Sequence, residues 1–405
     1  MATSGDDQSA RLNESWDELC AALGKASAYV QAHPYYTDPQ NRASGFAMIT
    51  AVLIKALETQ VIHDPDFPIF HVHDSRLLSG ADNPDQRYLS CVIRGGVTYR
   101  IWGRIRAERR LDIQIYGGKP TPSAPGRSAA FLGFEALKLE ADGSFDITLS
   151  PEPAGKNWIE NPADGAQVLV RQIYSDWTRD DPGEVHIDRV GFEGALRPAV
   201  TETELGDRFR IAGEKLLQDV EAWATLHQMM IGQPDVKTPV NRIPPMVDTF
   251  AQGGAKGRYM TFTIFELEPD EALIFRTWPT GATYQSVHLR DMWNSSLEYS
   301  NRQTSLTTEQ AYLDADGSYW MVVGPRDPGL HNWLDTVGLT RGRLACRYDG
   351  IGDKPFDPEK TPTVVKVKYN ALWDALPAGT PRVTEAERHA AIAARRRHLQ
   401  ERNHH

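Results

Sequence analysis

An internal repeat is the feature of this sequence that most limits its possible folds. Residues 141–158 read ADGSFDITLSPEPAGKNW, and residues 315–333 read ADGSYWMVVGPRDPGLHNW. One inserted residue aligns the two segments through a turn, a short strand, a proline-rich second turn and an Asn-Trp pair. A match of several elements in order is much harder to obtain by chance than a match of one Asp-Gly turn. The sequence therefore predicts two copies of one strand–turn–strand unit, in two separate β modules.

The repeat continues past the Asn-Trp pair in each copy. A strand containing arginine and tyrosine follows, VRQIY at residues 170–174 and LACRY at 344–348. Because Asn157-Trp158 and Asn332-Trp333 occur twice, a structural role is favoured for them over a ligand site. The tryptophan would close the end of a sandwich, and the asparagine would bond turn backbone. A ligand-binding role for Asn332-Trp333 stays open as the alternative.

The segments around the repeat show strand and helix periods. Leu111, Ile113 and Ile115 alternate with Asp112 and Gln114, which is typical of half-buried antiparallel strands. Helix starts are indicated at Pro39, after the capping residue Asp38, and by two capping boxes. These boxes pair Thr201 with Glu204 and Thr384 with Glu387.

These patterns predict a mainly β protein with helical segments, and 405 residues favour two domains over one. We expect a jelly-roll-like β-sandwich in the C-terminal half and a related, smaller β module in the N-terminal half. The predicted division is an N-terminal helical segment (1–63), a first β module (64–199), a linking helix (200–235), a second, jelly-roll-like module (236–380) and a C-terminal helix (381–405).

Composition limits the classes of binding partner and the cellular compartment that we expect. The net charge of −10 argues against nucleic acid or an anionic membrane as a partner. Cys20, Cys91 and Cys346 are far apart and lack metal or redox spacing, which predicts reduced core residues. No apolar run approaches the ~18–20 residues needed to span a membrane, and the polar N-terminus shows no signal segment. We expect a cytoplasmic protein with a small-molecule ligand, and a homo-oligomer is possible.

Five segments carry a family resemblance. They are DPDFPIFHVHDSRLLSGADNPDQRYLS (64–90), YRIWGRIRAERRLDIQIYGG (99–118), LVRQIYSDW (169–177), LRDMWNSSLEYSNRQTS (289–305) and RDPGLHNWLDTVGLTRGRLACRYDG (326–350). Here the chain resembles the DUF1214 family, a domain family of unknown function. The resemblance implies a jelly-roll-like β-sandwich of the DUF1214 type in the second module (236–380), preceded by a smaller first β module of the related DUF1254 type. It implies no catalytic residues.

Neither a metal nor a cofactor is predicted. His71 and His73 would share one face of a strand, but a zinc site needs further ligands. His186 and Asp188 are distant in the sequence, so only the fold could bring them near. A calcium loop starting at Asp314 would need a glutamate where Pro325 stands. The sequence contains no phosphate-binding loop, nucleophile elbow or dinucleotide fingerprint.

The candidate site is the polar-aromatic segment 291–303, which has no matching copy in the first module. The predicted catalytic residues are Asp291, Glu298 and Tyr299, and the predicted substrate-binding residues are Gln285, His288, Trp293, Arg302 and Gln303. Aromatic walls, a cation and a carboxyl group together suit a small polar ligand. The alternative is a structured loop with a salt-bridged arginine. The polar segment 82–88 is interpreted as a turn that leads into a strand.

Two functions of different class remain. The first is a cofactor-independent lyase or hydrolase acting on a small hydroxylated molecule, such as a sugar, terpenoid or aromatic alcohol. Hydration, dehydration or hydrolysis would need only carboxyl, tyrosine and arginine groups. The alternative is a non-catalytic small-ligand-binding or assembly protein. A pocket that holds a carboxyl group with a raised pKa favours the enzyme, whereas a shallow aromatic groove without one favours the binding protein.

Overall fold

The computed structural model describes residues 5–73, 75–118, 126–179, 181–230, 239–250, 254–351 and 356–403. His404 and His405, which from the sequence are either native or a remnant of an expression tag, lie outside these ranges. The helices in the described ranges are α1 (Gly5–Ala32), α2 (Pro39–Leu57), α3 (Glu202–Met230) and α4 (Glu385–Arg402). A π-helical turn, Glu58–Ile62, extends α2.

Two groups of strands follow one another along the chain. The first group is β1 (His71–His73), β2 (Gln86–Val92), β3 (Tyr99–Arg104), β4 (Arg110–Gly117), β5 (Arg127–Leu132), β6 (Ser144–Ser150), β7 (Trp158–Glu160), β8 (Gly165–Ile173) and β9 (Glu184–Arg189). The second group is β10 (Val247–Asp248), β11 (Tyr259–Glu266), β12 (Glu271–Thr277), β13 (Tyr284–Arg290), β14 (Ser305–Thr307), β15 (Tyr319–Gly324), β16 (Trp333–Asp335), β17 (Arg341–Asp349) and β18 (Thr363–Lys368).

The two groups form modules with the same sheet topology. The first module pairs a five-stranded sheet, β1-β2-β8-β4-β5, with a four-stranded sheet, β7-β6-β3-β9. The second contains β10-β11-β17-β13-β14 and β16-β15-β12-β18, so adding nine to each strand number converts one module into the other. Parallel pairing occurs at the same place in both modules, between β6 and β7 and between β15 and β16. The prediction of a duplicated unit in a mainly β chain is confirmed.

The repeated asparagines make the same contacts in both modules. The Asn157 amide accepts a hydrogen bond from the backbone N of Lys138 (2.8 Å) and donates to its carbonyl (2.9 Å). Asn332 bonds the backbone N and the carbonyl of Tyr312 in the same way, at 2.8 Å each. Each asparagine also donates to a carbonyl of the repeated strand. The structural interpretation of Asn157 and Asn332 is therefore confirmed.

The repeated tryptophans are also bonded alike. Trp158 Nε1 donates to the carbonyl of Ser150 (3.2 Å), and Trp333 Nε1 donates to the carbonyl of Gly324 (3.0 Å). Both acceptors are the last residues of the preceding strand, β6 or β15. In each module, this hydrogen bond therefore connects the start of the parallel strand (β7 or β16) with the end of its neighbour (β6 or β15).

Each module encloses an apolar core between its two sheets. The first core combines residues of both sheets, among them Ile113 of β4 and Ile147 of β6. Cys91 and Cys346 lie in the two cores as predicted, and burial raises the pKa of the Cys91 thiol to about 12. Cys20 is exposed on α1, so the expectation of a core position is wrong for it. The reason is that α1 buries only one stripe, whose members include Leu19, Ala22 and Ala26.

Three helices form a separate layer. Val30 of α1, Val52 of α2 and Leu216 of α3 share an apolar cluster that also contains Trp293 of the second module. The predicted caps are present at Asp38, Thr201 and Thr384.

One helical segment passes the length and composition test for crossing a membrane, which corrects the sequence expectation. Residues Pro39–Ile62 form 24 helical residues with a mean hydropathy of 1.5 in their most apolar window, of which 39% is buried. A single such helix is weak evidence, because a core helix of a soluble protein passes the same test.

The five-stranded sheets of the two modules turn their polar faces toward each other. Asp112 and Gln114 alternate with core residues on β4 as predicted, yet both are fully buried. The second module covers this face: Gln114 Nε2 donates to the carbonyl of Gly254 (3.3 Å). Nearby, Tyr284 OH donates to Asp85 Oδ2 (2.7 Å) across the same interface. The interface between the modules is therefore a buried polar region.

Candidate active site between the two modules

A cavity of about 240 Å³ lies within this interface. Its walls come from β2, β4 and β8 of the first module, from β11 and β17 of the second, and from α2 and α3. The cavity thus exists only where both modules and the helical layer meet. Among the charged side chains of its lining, cations outnumber the carboxylates Asp82 and Asp219: they are Lys55, Arg171, Lys215, Arg258 and Arg347.

Arg171 enters the cavity from the first module. Val168 and Val170 of β8 point into the core, so the alternation of the strand directs Arg171 to the opposite side. Its Nη1 donates to Gln114 Oε1 (2.6 Å), and its Nη2 donates to Tyr116 OH (3.0 Å). Both partners are neutral groups that hold the guanidinium in place and leave its charge uncompensated.

Arg347 enters from the equivalent strand of the second module. Cys346 and Tyr348 of β17 point into the second core, so Arg347 faces the cavity. Its Nη1 and Nη2 lie 3.4 Å from Tyr88 OH and from the carbonyl of Ala81. In the ranges that the structure describes, no carboxylate forms an ion pair with Arg347 or Arg171. The central strand of each sheet therefore supplies one cation without a carboxylate partner.

Arg258 is neutralised. Its Nε and Nη2 both bind Asp349 at 2.7 Å, in a fully buried bidentate pair. Burial opposes ionisation of Asp349, but Arg258 outweighs burial and holds the pKa of that carboxyl below its usual value. This pair supports the wall of the cavity and leaves little charge for a ligand.

Lys55 lies at the helical end of the cavity. Its Nζ donates to Ser79 Oγ (2.7 Å) and to the Ser79 carbonyl (3.3 Å). Burial lowers the pKa of Lys55 to about 8, against the opposing attraction of Asp82. A second lysine, Lys215, forms an ion pair with Asp219 at 2.9 Å. The two lysines therefore differ: Lys55 binds neutral groups, and Lys215 binds a carboxylate.

Asp82 is a carboxyl group of the cavity with an altered pKa. Its Oδ1 accepts a hydrogen bond from the backbone N of Ser296 (3.0 Å). Its Oδ2 is buried without a hydrogen-bond partner among the described residues. Burial raises the pKa of Asp82, although Ser296 and Lys55 act in the opposite direction. Burial therefore favours the protonated form of this carboxyl group more than water does.

Aromatic groups supply flat walls. Tyr88, Tyr116 and Trp223 all line the cavity. Gly80 has a φ of +76°, and a Cβ there would lie 3.1 Å from the Trp223 ring. Only glycine fits this backbone beside the indole, so the loop after β1 approaches α3 closely.

The predicted histidine pair lies at the edge of the cavity. His71 and His73 project from the same side of β1, with their Nε2 atoms 2.7 Å apart, and His73 is in the cavity wall. Burial lowers the pKa of both rings, that of His71 to about 3. His186 stacks on Trp102 at 4.2 Å, on the first module. Within the described ranges, no group of three His, Cys, Asp or Glu residues could hold a metal ion.

The structure places the predicted catalytic residues away from the cavity. Asp291 Oδ1 accepts hydrogen bonds from the backbone N of Trp293 (2.9 Å) and of Ser295 (3.0 Å), and burial raises the pKa of Asp291 to about 7. Glu298 accepts from the backbone N of Ser300 (2.8 Å). Tyr299 is buried with its ring centroid 6.5 Å from that of Trp177. Each of these contacts organises the loop or its packing.

The predicted substrate-binding residues also have internal partners. Trp293 is fully buried in the helical layer and donates from Nε1 to the carbonyl of Asn41 (2.7 Å). Arg302 pairs with Asp335 at 2.7 Å. Gln303 donates to the Trp333 carbonyl (2.6 Å).

The two residues predicted on the preceding strand follow the same pattern. Gln285 donates to the carbonyl of Trp278 (2.9 Å). His288 is fully buried in the module interface, and its ring nitrogens have no hydrogen-bond partner among the described residues. None of the eight predicted site residues lines the cavity. The functional assignment of segment 291–303 stays a prediction, and we base the candidate site on the cavity.

Sequence reasoning missed Lys55, Asp82, Arg171 and Arg347, although three signals were present. The strands after the repeat were recognised in both copies, but the outward arginine in each was not considered as a ligand contact. Segment 82–88, which holds Asp82 and Tyr88, was recognised and interpreted as a turn. Lys55, a charged residue in the mainly apolar C-terminal half of α2, was a third usable signal.

Fold and site define a two-module β protein with a cation-rich cavity at the module interface. The family model described as "Protein of unknown function (DUF1214)" matches residues 113–176, which confirms the resemblance over that segment. The match falls in the first module; the assignment of the DUF1214 type to the second module stays a prediction.

Solved structures extend the likeness to most of the chain. An uncharacterized protein from Burkholderia cenocepacia is 26% identical, with a TM-score of 0.80 over 90% of this chain and 99% of that one. A protein from Vibrio parahaemolyticus is 12% identical, with a TM-score of 0.45 over 87% of this chain and 100% of that one, too low to support an argument. No curated protein matches this sequence.

Proposed function

We propose that this chain is a cofactor-independent enzyme that binds a small organic anion in the cavity between its modules. One observation carries the proposal: Arg171 and Arg347 project into the same cavity from equivalent strands, and neither pairs with a carboxylate of the described chain. Buried charges are costly unless they are compensated. A carboxylate or phosphate ligand would supply the missing compensation, with planar hydrogen bonding suited to guanidinium groups.

The aromatic side chains in the cavity wall favour a ligand that is flat or contains a ring. Tyr88, Tyr116 and Trp223 present aromatic surface beside the arginines. Binding sites for small molecules are commonly concave and largely apolar, with a few polar groups that set orientation. An aromatic or cyclic acid has a ring that fits between the aromatic walls and an acidic group that fits the arginines. Such an acid with a hydroxyl group belongs to the hydroxylated substrate class expected from the sequence.

Acid–base chemistry has candidate residues at the helical end. Burial raises the pKa of Asp82 and lowers that of Lys55 to about 8, which brings the pKa values of the two groups closer together. A carboxyl group of raised pKa within the pocket is the feature that favours an enzyme over a binding protein. Hydration or dehydration of the hydroxylated ligand needs one group to donate and one to accept a proton. Lyase activity is therefore our first expectation, with hydrolase activity as the other.

Calorimetric titration tests the binding step. We expect benzoate and phenyl phosphate to bind and neutral benzamide to bind at least about tenfold more weakly, since one lost charged hydrogen bond costs roughly 1.5–3 kcal/mol. Arg171→Gln and Arg347→Gln should each weaken anion binding by a similar factor. Arg276→Gln is the matched control, because Arg276 pairs with Asp316 away from the cavity. Equal losses in all three variants, or no anion binding by the native protein, would contradict the proposal.

Turnover separates the enzyme from the second candidate, a small-ligand-binding protein. That candidate is favoured by the Arg258–Asp349 pair, which stiffens one cavity wall without offering a reactive group. Incubation with a mixture of hydroxylated aromatic acids, followed by mass spectrometry, should reveal gain or loss of water. Asp82→Asn should abolish that change and retain anion binding. Tight binding without any chemical change in the native protein would favour the binding protein.

A further inference from the structure

We propose that Lys55 forms a reversible imine with the oxo group of an oxo acid whose acidic group is bound by Arg171 and Arg347. This inference rests on the binding of a small organic anion in the proposed function, and it narrows that anion to one that carries an oxo group. It assigns the lysine a covalent role, in addition to proton transfer. The ligand would be a small acid with a carbonyl group at its other end.

The placement of Lys55 carries the first step. The cavity has arginines on its sheet walls and Lys55 on its helical wall, so an acid held by the arginines directs its opposite end toward the helices. Ser79 holds the Lys55 nitrogen through its hydroxyl and its carbonyl, both of which are neutral. The amine is therefore positioned without being locked to a carboxylate.

Lys215 provides an internal comparison. It lines the same cavity, but its ammonium group binds Asp219 at 2.9 Å. An ion pair of this kind keeps a lysine protonated and unreactive toward carbonyl groups. Only the neutral form of an amine adds to a carbonyl carbon, and a lysine in an enclosed site next to another cation provides that form most readily. Burial lowers the pKa of Lys55 against the attraction of Asp82, Asp219 and Glu58, and Lys215 adds a smaller effect in the same direction as burial.

The reaction balances with the groups present. The lone pair of neutral Lys55 Nζ forms a bond to the carbonyl carbon, and the carbonyl oxygen takes up a proton to become a hydroxyl group. The nitrogen releases two protons in the course of the reaction. The first balances the proton taken up by the carbonyl oxygen, and the second protonates the hydroxyl group, which leaves as water while a C=N bond forms. The sum is one amine plus one carbonyl, giving one imine plus one water. Asp82 lines the same cavity as Lys55, and we assign the proton transfers of both steps to its carboxyl group.

Reductive trapping tests this inference. The native protein is treated with 4-formylbenzoate and cyanoborohydride at pH 7, and peptide mapping by mass spectrometry locates the reduced adduct. Each unit by which the pKa of an amine falls gives about tenfold more neutral amine. We therefore expect Lys55 to react at least about tenfold faster than any other lysine. The neutral analogue 4-formylbenzamide should label Lys55 at least about tenfold more slowly, because the arginines hold no charge on it.

Three variants define the result. Lys55→Arg should remove the fast adduct, and Lys215→Arg should retain it. Arg171→Gln should slow adduct formation with 4-formylbenzoate and leave the rate with 4-formylbenzamide unchanged. Labelling of Lys215 as fast as Lys55, or no fast adduct at Lys55, would overturn the inference. Arg171-dependent binding of benzoate without an adduct at Lys55 would contradict the imine and leave the proposed function intact. Absence of benzoate binding together with absence of the adduct would contradict the proposed function and the imine alike.

Discussion

The two β modules share topology, but they use their connecting loops differently. Both modules have the same strand order and the same asparagine and tryptophan contacts. The connection after β13 in the second module carries Asp291 and Trp293, and Trp293 enters the helical layer. The difference shows that a segment present in only one copy can have a structural role, here the packing of the second module against the helical layer. Asymmetry between repeats is therefore not sufficient evidence for a ligand site.

The candidate site depends more on the strands that the two modules share than on the loop that distinguishes them. Arg171 and Arg347 lie on equivalent central strands, each opposite an apolar core face. The duplication places these two outward cations on facing sheets, and the cavity forms between them. Three experiments test this comparison, in order of decreasing expected effect.

Trp293→Ala tests whether the loop unique to the second module is structural. The indole is fully buried and bonds the Asn41 carbonyl, so its removal should lower the free energy of unfolding by about 3–5 kcal/mol. Urea denaturation followed by circular dichroism measures this change. Unchanged stability combined with loss of ligand binding would instead support the site predicted from the sequence.

Asn157→Ala and Asn332→Ala test whether the repeat has one structural role. Each variant loses three hydrogen bonds to backbone groups and leaves buried acceptors or donors unpaired. We expect losses of about 2–4 kcal/mol that agree within about 1 kcal/mol between the modules. Thermal and urea unfolding provide the values, and Lys156→Ala, in an exposed ion pair, serves as the control. A large effect in one module only would show that the copies have diverged in their structural roles.

Asp291→Asn tests the electrostatic cost of burying the loop of the second module. The folded-state pKa of Asp291 is about 7, above its ordinary value of 3.8, so the folded protein binds the proton more tightly. Stability from this group is therefore present at low pH and falls as pH rises from about 4 to about 7. Between pH 5 and 7 the native protein should lose about 2 kcal/mol relative to Asp291→Asn, since one pKa unit corresponds to ~1.4 kcal/mol.

Unfolding curves at several pH values measure this difference. Asp316→Asn is the control from the repeated turn: hydrogen bonds from Ser318 lower the pKa of Asp316, so its contribution has the opposite sign and is lost as pH falls below about 4. Parallel pH profiles for the native protein and Asp291→Asn would show that Asp291 stays ionised in the folded state.

Local patterns predicted the elements well because they depend on neighbours in sequence. The Asp38 cap, the Thr384 capping box and the alternation at residues 111–115 all appear in the structure. Asp112 and Gln114 show the limit of such patterns. Alternation indicates that they lie opposite the core, but their burial depends on a second module more than 100 residues away. A period of two separates the faces of a strand without showing what covers either face.

The sequence by itself determined the duplication and the mainly β class, and it favoured a structural role for the Asn-Trp pairs, which the hydrogen bonds of both modules then showed. The inferences from the sequence follow from local periodicity and from two copies of one pattern, which are visible without coordinates. Only the tertiary structure decided the site. Lys55, Asp82, Arg171 and Arg347 come from a helix, a loop and two strands, and they meet because two sheets pack face to face beneath the helical layer. Such packing brings together residues far apart in the chain, so no spacing within the sequence records it.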